Sequence, residues 1–230
     1  MSRNILLVTN ASRESAIDAF WEAAKLLQQN GLTPISIEED FQEMTKTGEE
    51  IEVYKDQDIE LALVLGGDGT ILRAAESLRG HNVPILGLNL GHVGFMAEAE
   101  REDMPEIISR IAKKNYSTSS RMALEVEVNN GKEKVFSSWA LNDVALEKSS
   151  REKILEVAIE VDSRPISSFG CDGVVFSTPT GSTAYNFSAG GPIVWPDVEA
   201  LLVVPLSAHA LFSRPLVVDR NSRLAVEVLN

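Results

Sequence analysis

The chain has 230 residues and a formal net charge of −13, with 44% hydrophobic and 24% charged residues, the make-up of a soluble globular protein of one large or two modest domains. An acidic surface repels nucleic acid and anionic membranes, so neither is expected as a partner, and a site that handles phosphate needs local donors or a divalent cation. The single cysteine, Cys171, cannot close an intramolecular disulfide, residues 5–8 are too short for a signal-peptide core, and no run nears the roughly 20 apolar residues of a membrane span, so a reducing cytoplasm is the expected location.

Residues 5–8 form a short continuous apolar run, the mark of a strand buried on both faces. Ile17, Phe20, Trp21, Ala24 and Leu27 then recur at helical spacing, and Asn30-Gly31 stops that helix. Residues 33–37, 61–65 and 84–88 read as further strands, and residues 38–58 as an acidic loop or weak helix. Residues 103–114 are a predicted helix with Pro105 in its first turn, where proline is tolerated. The succession β-α-β-β-α-β implies an open, mostly parallel sheet with helices on its faces. Residues 116–120 look like a linker, after which the period changes to two. Residues 124–128 alternate strictly, Asn129-Asn130-Gly131 is a hairpin signal, and residues 156–161, 173–176, 201–204 and 224–228 are strand candidates. The expectation is an α/β domain over residues 1–118 and an all-β or mainly β domain over residues 119–230.

Four segments carry chemistry. Leu65-Gly66-Gly67-Asp68-Gly69-Thr70 follows a buried strand and opens a helix, on the edge of the sheet where ligands collect. Its glycines let backbone approach a ligand, and the helix offers free N–H groups to phosphate. A carboxylate is out of place beside a phosphate unless Asp68 takes a proton from an attacking hydroxyl or holds Mg²⁺ through water; as a plain helix cap it would do neither. Both readings stand from the loop alone, which is neither a P-loop nor G-x-G-x-x-G. Asn89 to Met96 is a second glycine loop after a strand, in which Phe95 could flank a base and His92 meet a phosphate, although a core phenylalanine in a turn explains it as well. Asn142-Asp143 suits sugar hydroxyls and is equally a common turn pair. The long stretch from Asp172-Gly173 through the hydroxyl-rich segment 177–188 to Gly191-Pro192 can present many neutral donors, with Tyr185 able to lie along a base.

Together these segments resemble the NAD kinase family, in its order and over residues 61–216. The match runs through Gly66 to Thr70, Asn89 to Phe95, Asn142-Asp143, Asp172-Gly173, Ser177 to Asn186, Ser188 to Pro192, Val204 to His209 and Ser213 to Leu216. Residues 191–197 have an actinobacterial tone. The resemblance implies an α/β domain followed by an all-β one, with Asp68 as catalytic aspartate, and Gly67 and Gly69 in the phosphate loop. It also implies that Asn142, Asp143, Asp172, Thr183, Ala184, Tyr185 and Ser188 hold the dinucleotide and that Phe95 borders its adenine. Glutamate is commoner than aspartate at the position of Asp143. The implied reaction is transfer from ATP or polyphosphate to the 2′-hydroxyl of the adenosine ribose of NAD. Mg²⁺ is expected to carry the charge load, helped by Arg73, with no dedicated protein metal ligands. The expected partners are small-molecule nucleotides and further copies of the chain, as a dimer or tetramer. The family's chains continue past the equivalent of Asn230, so a C-terminally truncated chain is expected. A lipid kinase shares the glycine loop, but its basic membrane face does not suit this acidic chain; a nucleotide-binding regulator without catalysis is the other alternative.

Overall fold

Buried apolar runs organise the first part of the chain. The computed structural model describes residues 2–44, 51–55, 57–91, 94–97, 99–149, 154–209 and 214–229. The backbone forms two units, Met1–Ser119 and Ser120–Asn230. In the first, the elements are β1 (Asn4–Thr9), α1 (Glu14–Gln29), β2 (Thr33–Ser36), α2 (Glu38–Met44), β3 (Glu52–Val53), β4 (Leu61–Leu65), α3 (Asp68–Ser77), β5 (Ile85–Asn89), β6 (Ala99–Glu100) and α4 (Met104–Ala112). The strands make one parallel sheet in the order β3-β2-β1-β4-β5-β6. Residues 38–58, read as loop or weak helix, contain helix α2 and the two-residue strand β3, which β2 recruits as an edge.

Strand alternation divides the core between two layers. Ile5, Leu7, Leu61, Leu63 and Leu65 face α1 and α4, against Phe20, Ala23, Leu27, Met104 and Ile108. Leu6, Val8, Ala62 and Val64 face the other way, against Ile71, Ala74 and Leu78. Phe20 is fully buried, and truncating such a side chain to alanine costs about 3–5 kcal/mol. Helix α1 ends where Asn30-Gly31 predicts. Gly31 has φ +74°, and the N–H groups of Gly31 and Leu32 meet the carbonyls of Gln28 and Leu27 at 3.0 Å each. These are the two bonds of a Schellman motif, which needs a left-handed residue and so favours glycine.

The second unit contains β7 (Leu124–Asn130), β8 (Glu133–Ala140), β9 (Asp143–Glu147), β10 (Leu155–Val161), β11 (Arg164–Cys171) and β12 (Gly173–Ser177). A 3₁₀ turn (Thr180–Thr183), the short helix α5 (Tyr185–Ser188), β13 (Ala200–Leu206), β14 (Leu216–Asp219) and β15 (Leu224–Val228) follow. The strands form a β7-β8 hairpin, a sheet β11-β10-β15 and a sheet β14-β13-β12-β9, with antiparallel pairing throughout. Val157, Ile159, Phe169, Cys171, Val174 and Val203 make its core. The fold class is therefore the expected one, an α/β sheet unit followed by a β-rich unit. Among the described residues no helix is long and apolar enough to cross a membrane.

Candidate functional site

In the first unit a cavity of about 550 Å³ opens at the carboxyl ends of β1 and β4. The chain leaves β1 toward β2 on one side and β4 lies on the other, so this is the point where strand order reverses and open α/β sheets take their ligands. The Thr9 to Arg13 turn lines one wall, and Gly66, Gly67, Gly69 and Thr70 line another. A Cβ at Gly67 or Gly69 would meet nothing within 4 Å, so packing does not require glycine at either, and the room beside them is open to a ligand. Helix α3 starts here with Gly67 as its cap and no side-chain bond closing its N-terminus. Its first N–H groups have no carbonyl of the same helix to meet and point toward incoming anions.

Asp68 is not a cap. It is the first residue of α3, and its carboxylate reaches away from the helix to the second glycine loop. Oδ2 accepts the N–H of Phe95 at 3.2 Å and Oδ1 that of Met96 at 3.0 Å. Gly94 sits against the same carboxylate so closely that a Cβ there would stand 2.5 Å from Oδ1. Two of the roughly four lone-pair positions of a carboxylate are thus used to fix its direction, and the others stay open to a hydroxyl. The structure therefore brings together the two glycine loops that the sequence presents 27 residues apart. Phe95 is 71% exposed, which excludes the core reading of its ring. His92 lies outside the described residues.

Arg73 reaches the cavity wall, but its guanidinium is already engaged. It forks onto Asp40, with Nη1 to Oδ1 at 2.7 Å and Nη2 to Oδ2 at 3.1 Å, and donates to the Thr9 carbonyl. Asp40 is 3% exposed and also accepts the Thr9 N–H at 2.9 Å. The sequence reading missed Asp40, because its partners lie 31 and 33 residues away and no local pattern announces them.

The second unit spreads the other candidates along β9, with Asn142 and Asp143 at its start and Asp172 beside its far end. Ser177 pairs with Asp143 across β12 and β9. The Asn142 carbonyl accepts the Thr178 N–H at 2.9 Å and the hydroxyls of Thr178 and Ser177 at 3.2 and 3.3 Å. A Cβ at Gly181 would fall 2.1 Å from that same carbonyl oxygen, so only glycine lets the turn lie on the Asn142 backbone. The buried Asn142 Oδ1 has no hydrogen-bond partner among the described residues. Asp143 is half-buried; loss of solvent pushes its pKa up, and the Tyr185 N–H partly offsets that. The Tyr185 hydroxyl donates to Glu147 at 2.5 Å, and that bond, with desolvation, raises its pKa. Asp172 pairs with Lys148 at 2.5 Å, which holds its pKa below the ordinary value.

The hydroxyl-rich segment divides its hydroxyls between the interior and the surface. Ser177, Thr178 and Ser182 are fully buried and spend their hydroxyls on the protein's own backbone. Ser182 accepts from and donates to Val194, and the Asn186 amide ties the Ser182 and Pro192 carbonyls together. That leaves Thr183 and Ala184 part-exposed, and Tyr185 and Ser188 exposed. Glu147 and Lys148, which hold Tyr185 and Asp172, were also missed, since an exposed strand end rich in charge carries no signal of its own.

A switch-point cavity, a glycine loop heading a helix and an aspartate tethered beside it define a phosphate-handling protein. The family models for the ATP-NAD kinase N-terminal and C-terminal domains match residues 5–116 and 141–230. The NAD kinase of Leifsonia xyli is 53% identical over 234 residues, covering 99% of this chain and 77% of the relative. NAD kinase 2 of Streptomyces coelicolor is 48% identical over the same shares of both chains. Among solved structures, an NAD kinase from Archaeoglobus fulgidus in complex with ATP is 25% identical with a TM-score of 0.69, over 98% of this chain and 80% of that one. Yeast NADH kinase complexed with NADH shares the fold at a TM-score of 0.90 and 24% identity, over 99% and 72%. The chain belongs to the NAD kinase family and is a phosphotransferase.

Proposed function

We propose that the chain transfers the γ-phosphoryl group of ATP to the 2′-hydroxyl of the adenosine ribose of NAD, giving NADP and ADP. The observation that carries the reading is the tethered carboxylate of Asp68, fixed by two backbone N–H groups beside the cavity of about 550 Å³ at the glycine loop. The ribose oxygen attacks the γ-phosphorus, the bond from that phosphorus to the β,γ-bridging oxygen breaks, and the hydroxyl proton passes to Asp68. Such transfer is mostly positioning and charge stabilisation. Gly67 and Gly69 give the donor phosphates room and the N-terminal N–H groups of α3. In this reading Mg²⁺ arrives with the donor triphosphate. Bound there, Mg²⁺ neutralises charge on the transferring group.

In the same reading NAD is held by Asn142, Asp143, Asp172, Thr183, Ala184, Tyr185 and Ser188, with Phe95 along its adenine. The unpartnered Asn142 amide oxygen and the half-buried Asp143 suit ribose hydroxyls, since a hydroxyl donates to both. Polyphosphate is a second donor in this proposal, the protein is cytoplasmic, and it works as a dimer or tetramer; the buried free thiol of Cys171 fits a reducing compartment. Incubation with NAD, ATP and Mg²⁺ should yield NADP, and excess chelator should stop it. Asp68→Asn should retain NAD binding and reduce turnover by about 10² to 10⁴, the scale of a lost general base. A chain that bound both nucleotides and made no NADP would overturn the reading.

A further inference from the structure

Two arginines line the cavity beside the glycine loop, Arg13 and Arg73. They differ in what they already hold. Arg73 makes a two-bond fork to a carboxylate that is almost wholly buried, and adds a bond to the Thr9 carbonyl. Removing it would leave Asp40 as an unpaired buried charge, which is strongly unfavourable, so the guanidinium is committed to the scaffold. Arg13 is exposed, and its side chain makes no ion pair or hydrogen bond among the described residues. The acidic residues on the same cavity are Glu39, which is exposed, and Asp40, which Arg73 and the Thr9 N–H already occupy.

The Asp40 fork has a further effect. Asp40 belongs to α2, Arg73 to α3 and Thr9 to the end of β1, and the Thr9 hydroxyl donates in turn to the Leu65 carbonyl at 3.1 Å. Leu65 is the last residue of β4, immediately before the glycine loop. One buried carboxylate therefore fixes the turn that carries Arg13 relative to the loop that carries Asp68.

We propose that Arg13 is the cation that binds the phosphates of the donor, and that Arg73, locked by Asp40, is a positioning residue that sets the cavity wall. This rests on the reading of the chain as an ATP-dependent kinase. The ligand class is a polyphosphate anion, and Arg13 meets it as an exposed guanidinium able to make charge-assisted, bidentate bonds to phosphate oxygens.

The test uses the full chain, four single variants and their combinations, with binding of Mg-ATP by calorimetry alongside steady-state NADP formation. Arg13→Met should raise the dissociation constant and the KM for ATP about tenfold or more, the worth of a charged hydrogen bond, with the KM for NAD within about twofold and Tm unchanged. Arg13→Lys should recover most of that loss. Asp40→Asn and Arg73→Met should each lower Tm and kcat. Combined they should do little more than either alone, because they break one pair, whereas Arg13→Met should multiply with both. Unchanged ATP binding in Arg13→Met would overturn the assignment. So would an Arg73→Met variant of parental Tm that bound ATP more weakly while Asp40→Asn behaved as parent. If the parent bound ATP but formed no NADP, the kinase reading would fail while the calorimetry still judged Arg13.

Discussion

The contact between Gly94 and Asp68 gives a sharp perturbation. Adding a single methyl as Gly94→Ala places a Cβ 2.5 Å from the Asp68 Oδ1 and 3.2 Å from its Cγ. Comfortable van der Waals separation is about 3.5 Å, so carboxylate and loop must part by about 1 Å. That opening breaks or lengthens the bonds from Phe95 and Met96, now 3.2 and 3.0 Å. A displacement of this size at a reacting group costs about 10² in rate, or about 2.7 kcal/mol of transition-state stabilisation. Gly94→Ala should accordingly lower kcat about 100-fold, measured as NADP formation at saturating NAD and Mg-ATP, with little change in Tm. In an Asp68→Asn background the same methyl should have a much smaller effect, because the group it displaces no longer takes the proton. Wild-type kcat in Gly94→Ala would refute the reasoning, as would an equal fold-loss with and without the Asp68 carboxylate.

Three further outcomes are expected. Asp143→Ala should weaken NAD binding by about 1.5–3 kcal/mol, the scale of a hydrogen bond to a charged group, and leave ATP binding nearly unchanged by calorimetry. Gly181→Ala drives a Cβ into the Asn142 backbone at 2.1 Å and should destabilise the second unit by about 1–3 kcal/mol or more, read as a lower denaturation midpoint. Glu60 is held below its ordinary 4.5 chiefly by the hydrogen bond from Arg3, so its contribution to stability is present above that value and is lost as pH falls through the lowered one. Glu60→Gln should therefore remove part of the Tm drop between about pH 5 and about pH 3 and lower Tm at neutral pH.

What could be read from residues depended on the range of the interaction. The fully apolar runs of β1 and β4 and the stripe of α1 are local patterns, and each became the element it predicts. Strands β3 and β6 have two residues each and exist only because β2 and β5 offer an edge, so no window of sequence contains them. Strands β8 and β11 were overlooked because their first five residues are exposed and carry no alternation, and β14 because its Leu-Val-Val-Asp sequence does not alternate although its burial does. In the candidate site, glycine spacing marked both loops, but not that Asp68 of one is anchored by the backbone of the other. The fork of Arg73 onto Asp40 belongs to the same group, a tertiary bond between residues whose own neighbourhoods read as helix and acidic surface.

The sheet order has a consequence for synthesis of the chain. Strand β1 lies between β2 and β4, paired along Ile5 to Pro34 on one side and Ile5 to Leu61 on the other. Ribosomes make about 5–20 residues per second, so the β2 side can close after one helix while the β4 side waits several seconds more. Through that interval an Ile-Leu-Leu-Val strand presents a bare hydrogen-bonding edge, the kind that recruits other chains. The segment made during the wait, residues 38–58, is dense in glutamate and aspartate. Its charge sits beside the vulnerable strand in the growing chain and repels its copies, as gatekeeper residues do around unavoidable apolar strands. The acidic stretch, whose described residues include α2 and β3, is thus made when the unfinished fold most needs solubility.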